Sequence, residues 1–165
     1  MIGNHRIGYR DEQGTKPKTK VAISAKVPFR EHDYVHDKSF GTDTWTLHVG
    51  EVLDELLREA EANAKEKPGD VLRIWNLQVV DFSKGLFQWS RHYVTIRFDY
   101  ELRRNRKTIR DGTITGSGEG SGTELGFMTF IPIVGNINFN KGMELALTRC
   151  LQDCLESLAA ELKSR

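Results

Sequence analysis

The chain is poor in the residues that most often announce a chemistry. Two cysteines in 165 residues cannot build the disulfide framework of a small secreted scaffold or a four-thiolate zinc site. Charge of one sign is missing: 24 Lys and Arg stand against 23 Asp and Glu, a formal net charge of +1. That balance gives no global pull toward nucleic acid, which usually demands a strongly basic domain. No apolar run approaches the roughly 18–20 residues of a membrane-spanning helix. The residues after Met1 are largely polar and lack the apolar core of a signal peptide. Catalytic fingerprints are missing too. Gly116-Ser117-Gly118 and Gly120-Ser121-Gly122 lack the spacing of a Gly-x-Ser-x-Gly nucleophile elbow. The Gly-rich run has no third glycine for Gly-x-Gly-x-x-Gly and no following Gly-Lys-Ser/Thr. No cofactor is expected, and nothing in the sequence asks for an enzyme.

What is present is periodicity. Hydrophobic residues make up 38% and charged residues 28%, ordinary for a single soluble domain with one core. Residues 1–19 read as a flexible polar leader, and residues 20–165 as one domain. Val21 to Val27 alternates as a first strand, ended by Pro28. Residues 29–44 read as a polar loop, with Thr44 or Thr46 capping the helix that follows. Val49, Val52, Leu53, Leu56, Leu57 and Ala60 recur at helical spacing, predicting a helix over about 49–64. Val71 to Phe82 is rich in β-formers. His92 to Leu102 alternates cleanly, with Val94, Ile96, Phe98, Tyr100 and Leu102 on one side. A hairpin tip at Arg104-Asn105 then leads to a strand over 108–115. The alternating glycines after Ile114 predict a strand whose inner face is all glycine, letting a helix or another backbone approach closely. A closing helix, about Lys141 to Leu162, carries Met143, Leu147, Cys150, Leu151, Cys154, Leu158 and Leu162 on one stripe. Cys150 and Cys154 lie on this stripe as small hydrophobes. The order is β-α-β-β-β-α: an α+β two-layer sandwich, two helices packed on one face of a four-stranded antiparallel-rich sheet.

Three segments are candidate sites. The run Leu125 to Gly135 is apolar where a polar connection is expected. It either packs under the sheet edge, as a short fifth strand for instance, or exposes Phe127, Met128, Phe130, Ile131, Ile133 and Val134 to a partner or membrane surface. Phe82, Leu86, Phe87 and Trp89 could extend that patch. Arg103, Arg104, Arg106, Lys107 and Arg110 crowd the long hairpin's tip. They either keep the sheet soluble or contact phosphate, such as lipid head groups, through arginine forks. His32, Asp33, His36 and Asp37 lie within one short segment and have the donor chemistry of a divalent metal site, if the fold points them inward.

The layout resembles a group of small bacterial envelope lipoproteins that includes the lipopolysaccharide-assembly lipoprotein of the outer membrane. The likeness covers about residues 20–163. It rests on Lys20-Val21-Ala22-Ile23 after a polar leader, on the Gly-Ser-Gly-Glu-Gly-Ser-Gly run closing a long hairpin, and on the final helix from Met143 to Leu155. The resemblance implies two helices on a four-stranded sheet, a lipid on an N-terminal cysteine, and a non-catalytic scaffold role in an envelope complex. The chain departs from it in having no lipobox cysteine near Met1. Expected partners are a protein of an envelope complex or lipid, not nucleic acid. The place is periplasmic and outer-membrane associated if a lipidated leader precedes this sequence, cytoplasmic otherwise. The competing readings are a small metal-dependent enzyme centred on His32 and His36, and a cytoplasmic ligand-binding domain.

Overall fold

The computed structural model describes the backbone over residues 4–7, 24–25, 35–40, 43–62, 70–85, 90–121 and 132–163, and side chains over 49–50, 53–54, 56–58, 71–85, 90–121 and 141–163. Three long strands dominate: β5 (Asp70–Lys84), β6 (Arg91–Arg104) and β7 (Lys107–Ser121). They pair antiparallel in the order β5-β6-β7. A short strand, β2 (Ser24–Ala25), adds parallel to the far edge of β5; the rest of the expected first strand lies outside the described residues. Burial along β6 alternates as its sequence does, with Val94, Ile96, Phe98, Tyr100 and Leu102 dry. One sheet face is therefore core and the other is wet.

The β6–β7 turn is tighter than the sequence suggests. Asn105 (φ 48°) and Arg106 (φ 67°) form its two central residues, and Arg104 pairs with Lys107. Two successive positive φ values are the mark of a type I′ turn, whose twist matches that of the flanking strands. In β5 the register slips between Trp75 and Gln78, where Asn76 sits at φ 55°. This bulge reverses the side-chain parity: Leu72 and Ile74 point inward before it, Leu77 and Val79 after it.

Helix α1 (Val49–Ala62) follows β4 (Asp43–His48), and helix α2 (Pro132–Lys163) follows β7. Val49, Leu53, Leu56 and Leu57 of α1 share one hydrophobic cluster with Leu72, Ile96, Phe98, Leu147, Leu151 and Leu158. Large side chains buried like these contribute roughly 1.5–3 kcal/mol each. α2 lies against β7 along a seam of small residues. A Cβ on Gly116 would lie 2.7 Å from the Cys150 carbonyl oxygen and 2.8 Å from the Cys154 nitrogen. One on Gly120 would lie 2.5 Å from the Gly142 oxygen, and one on Gly118 would strike the Ala146 oxygen and Cys150 nitrogen. The opposing helix residues, Gly142, Ala146, Cys150 and Cys154, recur every fourth position. Four helical residues rise about 6 Å and two strand residues about 6.6 Å, so strand and helix stay in step. The glycine-lined inner face expected from the sequence is this seam.

Three expectations need correction. The segment read as a polar loop over 29–44 contains β3 (Val35–Phe40) and the start of β4 (Asp43–His48), paired antiparallel. Thr44 and Thr46 are thus strand residues opposite Ser39 and Asp37, not helix caps. The run Thr44-Trp45-Thr46-Leu47 is dense in β-formers, and it passes straight into α1. Within the stretch read as a leader, β1 (Asn4–Ile7) pairs parallel with β4. Finally, α2 begins at Pro132 rather than near Lys141. Proline ends a helix from within but is accepted in its first turn, where its missing N–H costs nothing.

Candidate functional site

The sheet's two faces differ in kind. On the inner face α2 packs over β7 and β6. On the outer face the bulge at Asn76 brings Val80 and Phe82 to the side that Trp75 already faces, and Trp75, Val80 and Phe82 are 39%, 66% and 58% exposed. Phe82 sits beside Tyr93, with ring centroids 6.0 Å apart. Val80 is opposite Thr95, and Gln78 opposite Arg97. Of the four large hydrophobic side chains that stand exposed among the described residues, three lie in this row; the fourth, Ile109, lies at the register slip near the hairpin tip. Sequence reading identified Phe82 but missed Trp75 and Val80 as surface residues. The signal was there: inward positions run Leu72 and Ile74, then Leu77 and Val79, a change of phase across an asparagine.

Polar groups on the same face are held in place. Asp99 accepts from Asn76 Nδ2 at 2.9 Å and from Thr113 Oγ1 at 2.8 Å. The Asn76 hydrogen bond, then that of Thr113, holds its carboxyl below the usual range. Glu101 accepts from Thr108 Oγ1 and pairs with Arg103 at 2.9 Å. Those two contacts, Thr108 first, likewise lower its pKa. Arg91 pairs with Glu119 at 3.1 Å.

The basic tip divides on inspection. Arg103 is engaged by Glu101, and Arg110 reaches the other layer, donating to the Glu161 backbone oxygen and lying 3.9 Å from its carboxylate. Tyr100, whose hydroxyl donates to Glu161 at 3.3 Å, has its pKa raised by burial and then by the Glu161 charge. Arg104, Arg106 and Lys107 stand exposed at the turn. Arg103 and Arg110 thus make contacts within the fold, and Arg104, Arg106 and Lys107 are exposed around the turn.

The other candidates fare differently. Phe127, Met128, Phe130 and Ile131 lie outside the described residues, whereas Ile133 and Val134 belong to the first turn of α2, so a fifth strand does not include them. His32 and Asp33 also lie outside the described residues; His36 and Asp37 occupy successive positions of β3, opposite Leu47 and Thr46. Among the described residues no group of three or more His, Cys, Asp or Glu is placed to hold a metal ion. The thiols are part of the seam. Cys150 Sγ donates to the Gly116 oxygen at 3.2 Å and Cys154 Sγ to the Ile96 oxygen at 3.8 Å. The neighbouring Cys150 thiol and burial push the Cys154 thiol far upward, away from the thiolate that nucleophilic chemistry requires.

α2 also protects the sheet's open edge. β7 is an outermost strand, and such edges invite pairing with other chains. Ser117 N–H donates to Asp153 at 2.9 Å and Arg149 donates to the Glu119 oxygen at 2.7 Å. Two side chains thus take backbone partners that a neighbouring strand would otherwise supply.

Among solved structures, the chain is similar to a lipoprotein candidate from Caulobacter crescentus, at 16% identity and TM-score 0.45 over 86% of this chain and 90% of that one. It is also similar to a minor lipoprotein from Acinetobacter baumannii, at 11% and 0.42 over 87% and 95%. A Xanthomonas campestris protein from a family of unknown function matches at 11% and 0.46, over 98% of each chain. No family model and no curated protein sequence matches the chain.

Proposed function

We propose that this protein is a non-catalytic binding domain of the bacterial envelope, an accessory or scaffold that meets a protein partner or lipid through the open face of its sheet. The observation that carries the reading is the row Trp75, Val80 and Phe82, exposed together on the face that α2 leaves bare. The bulge at Asn76 brings Val80 and Phe82 to the face that Trp75 already occupies. Clustered exposed apolar side chains mark interaction surfaces far more often than isolated ones do. The exposed cations at the hairpin turn extend the same surface at its far end. In this reading α1 lies beside α2 as a second helix over the core face, and a lipidated leader tethers the domain to the outer membrane. The relation to lipopolysaccharide assembly and the apolar run from Phe127 to Val134 as an added contact belong to the same proposal.

The test is site-specific photo-crosslinking in the source cell. A photoreactive residue at position 82 is expected to form adducts in the envelope fraction, whereas one at the exposed helix position 156 is not. Equal labelling from both positions, or none from position 82, would remove the open face as a binding surface.

A further inference from the structure

We infer that the open sheet face is built to lie against an anionic phospholipid bilayer surface, which deepens the envelope-binding reading by naming the occupant. Two observations point there together. First, the exposed row is interleaved with cations: Arg73, Lys84, Arg91 and Arg97 all stand exposed on the outer face of β5 and β6, and Arg104, Arg106 and Lys107 continue the pattern beyond it. The acidic groups among them are Asp99, Glu101, Glu119 and the exposed Asp111 opposite Glu101; the first three already receive hydrogen bonds or ion pairs from the sheet's own Asn76, Thr113, Thr108, Arg103 and Arg91. Second, the helices are the more acidic elements although the whole chain is nearly neutral: α2 carries four carboxylates against three basic residues, and the excess lies in α1. α1 carries five carboxylates and a single arginine, and its Arg58 is paired to Asp54 at 2.7 Å. A domain polarised this way turns its sheet toward a negative surface and its helices away from it.

The shape favours a bilayer over a folded partner. Trp75 and Phe82 are separated by roughly 20 Å along β5. A head-group layer accepts such a spread of aromatic and aliphatic side chains without a matching relief, and aromatic rings are favoured at its depth. Arginine and lysine beside them gain from anionic lipids, and each contributes an effect of about fivefold in binding.

The full chain is tested for co-sedimentation with vesicles of phosphatidylcholine alone and with vesicles of equimolar phosphatidylcholine and phosphatidylglycerol. Binding to the mixed vesicles is expected to be at least about tenfold stronger and to weaken as salt is raised. The pair Val80→Ser and Phe82→Ser should lower it by about tenfold. The pair Lys84→Gln and Arg97→Gln should do so only on the anionic vesicles, and it removes no apolar contact, so it stays informative if the first pair destabilises the fold. No binding, equal binding to both vesicle types, or binding that neither pair alters would overturn the bilayer as occupant. Protein-only adducts from position 82 together with absent vesicle binding would do the same while leaving the open face a binding surface. Absence of both would remove that surface as well.

Discussion

Alanine at Gly118 puts the strand–helix seam under direct strain. In an ordinary strand the change would stabilise by about 0.5–1 kcal/mol, because glycine has more freedom to lose on folding. Here the new methyl group meets the Ala146 oxygen and Cys150 nitrogen well inside the 3.0 Å that real Cβ contacts keep, with Cys150 Cα at 3.0 Å. All three are backbone atoms of a 32-residue helix, so no side chain can swing aside. Relief requires α2 to lift from β7, which loosens the packing of Cys150, Cys154 and Leu147 together. Overpacking typically costs 1–3 kcal/mol, and a backbone clash belongs at about 3 kcal/mol or above. For a chain of this length that lowers Tm by about 6–12 °C. The control is Gly112→Ala, whose methyl would meet only the Tyr100 ring, at 3.0 Å; a side chain can yield, and the change should stay within about 1 kcal/mol. Circular-dichroism melts of the three proteins decide it. A Gly118→Ala protein melting at or above wild type would refute the seam.

Arg106→Gly should raise stability by about 1 kcal/mol, because arginine holds a left-handed φ of 67° that glycine adopts freely; an unchanged or lower melting temperature would argue against the type I′ turn. Asn76→Val should cost at least about 1–2 kcal/mol, since a β-branched residue resists φ 55° and the Asp99 hydrogen bond is lost; chemical denaturation measures it. The thiols should resist alkylation in the native protein at mildly alkaline pH and label at the rate of unfolding. The raised Cys154 pKa means its contribution to stability is complete below the ordinary thiol range and falls as pH rises beyond it. Rapid native labelling of Cys154, read by mass spectrometry, would contradict its burial.

What could be read from the residues was what repeats. β6 announced itself because Val94 to Leu102 alternates without interruption. The glycines of β7 kept the same two-residue period, which gave away their inward face and a close approach, though not whether a helix or another backbone makes it. Local exceptions were harder. The bulge at Asn76 depends on one asparagine accepting a left-handed backbone, and it decides whether Trp75 and Val80 are core or surface. Pro132 was a break by type and a beginning by position. The strands β3 and β4 are short and polar, and β1 finds its partner some forty residues away (Asn4 opposite Thr44). No local pattern specifies such a pairing. The open sheet face was hidden for a related reason: exposure belongs to the sheet as assembled, and a strand's sequence does not say which face a helix will cover.

The most direct measurement is membrane fractionation of the endogenous protein from its source cell, with an intact-mass reading of its N-terminus. An envelope-bound form carrying a diacyl- or triacyl-cysteine upstream of Ile2 is the predicted result. A soluble cytoplasmic chain beginning at Met1 would contradict the envelope placement on which the proposed function stands.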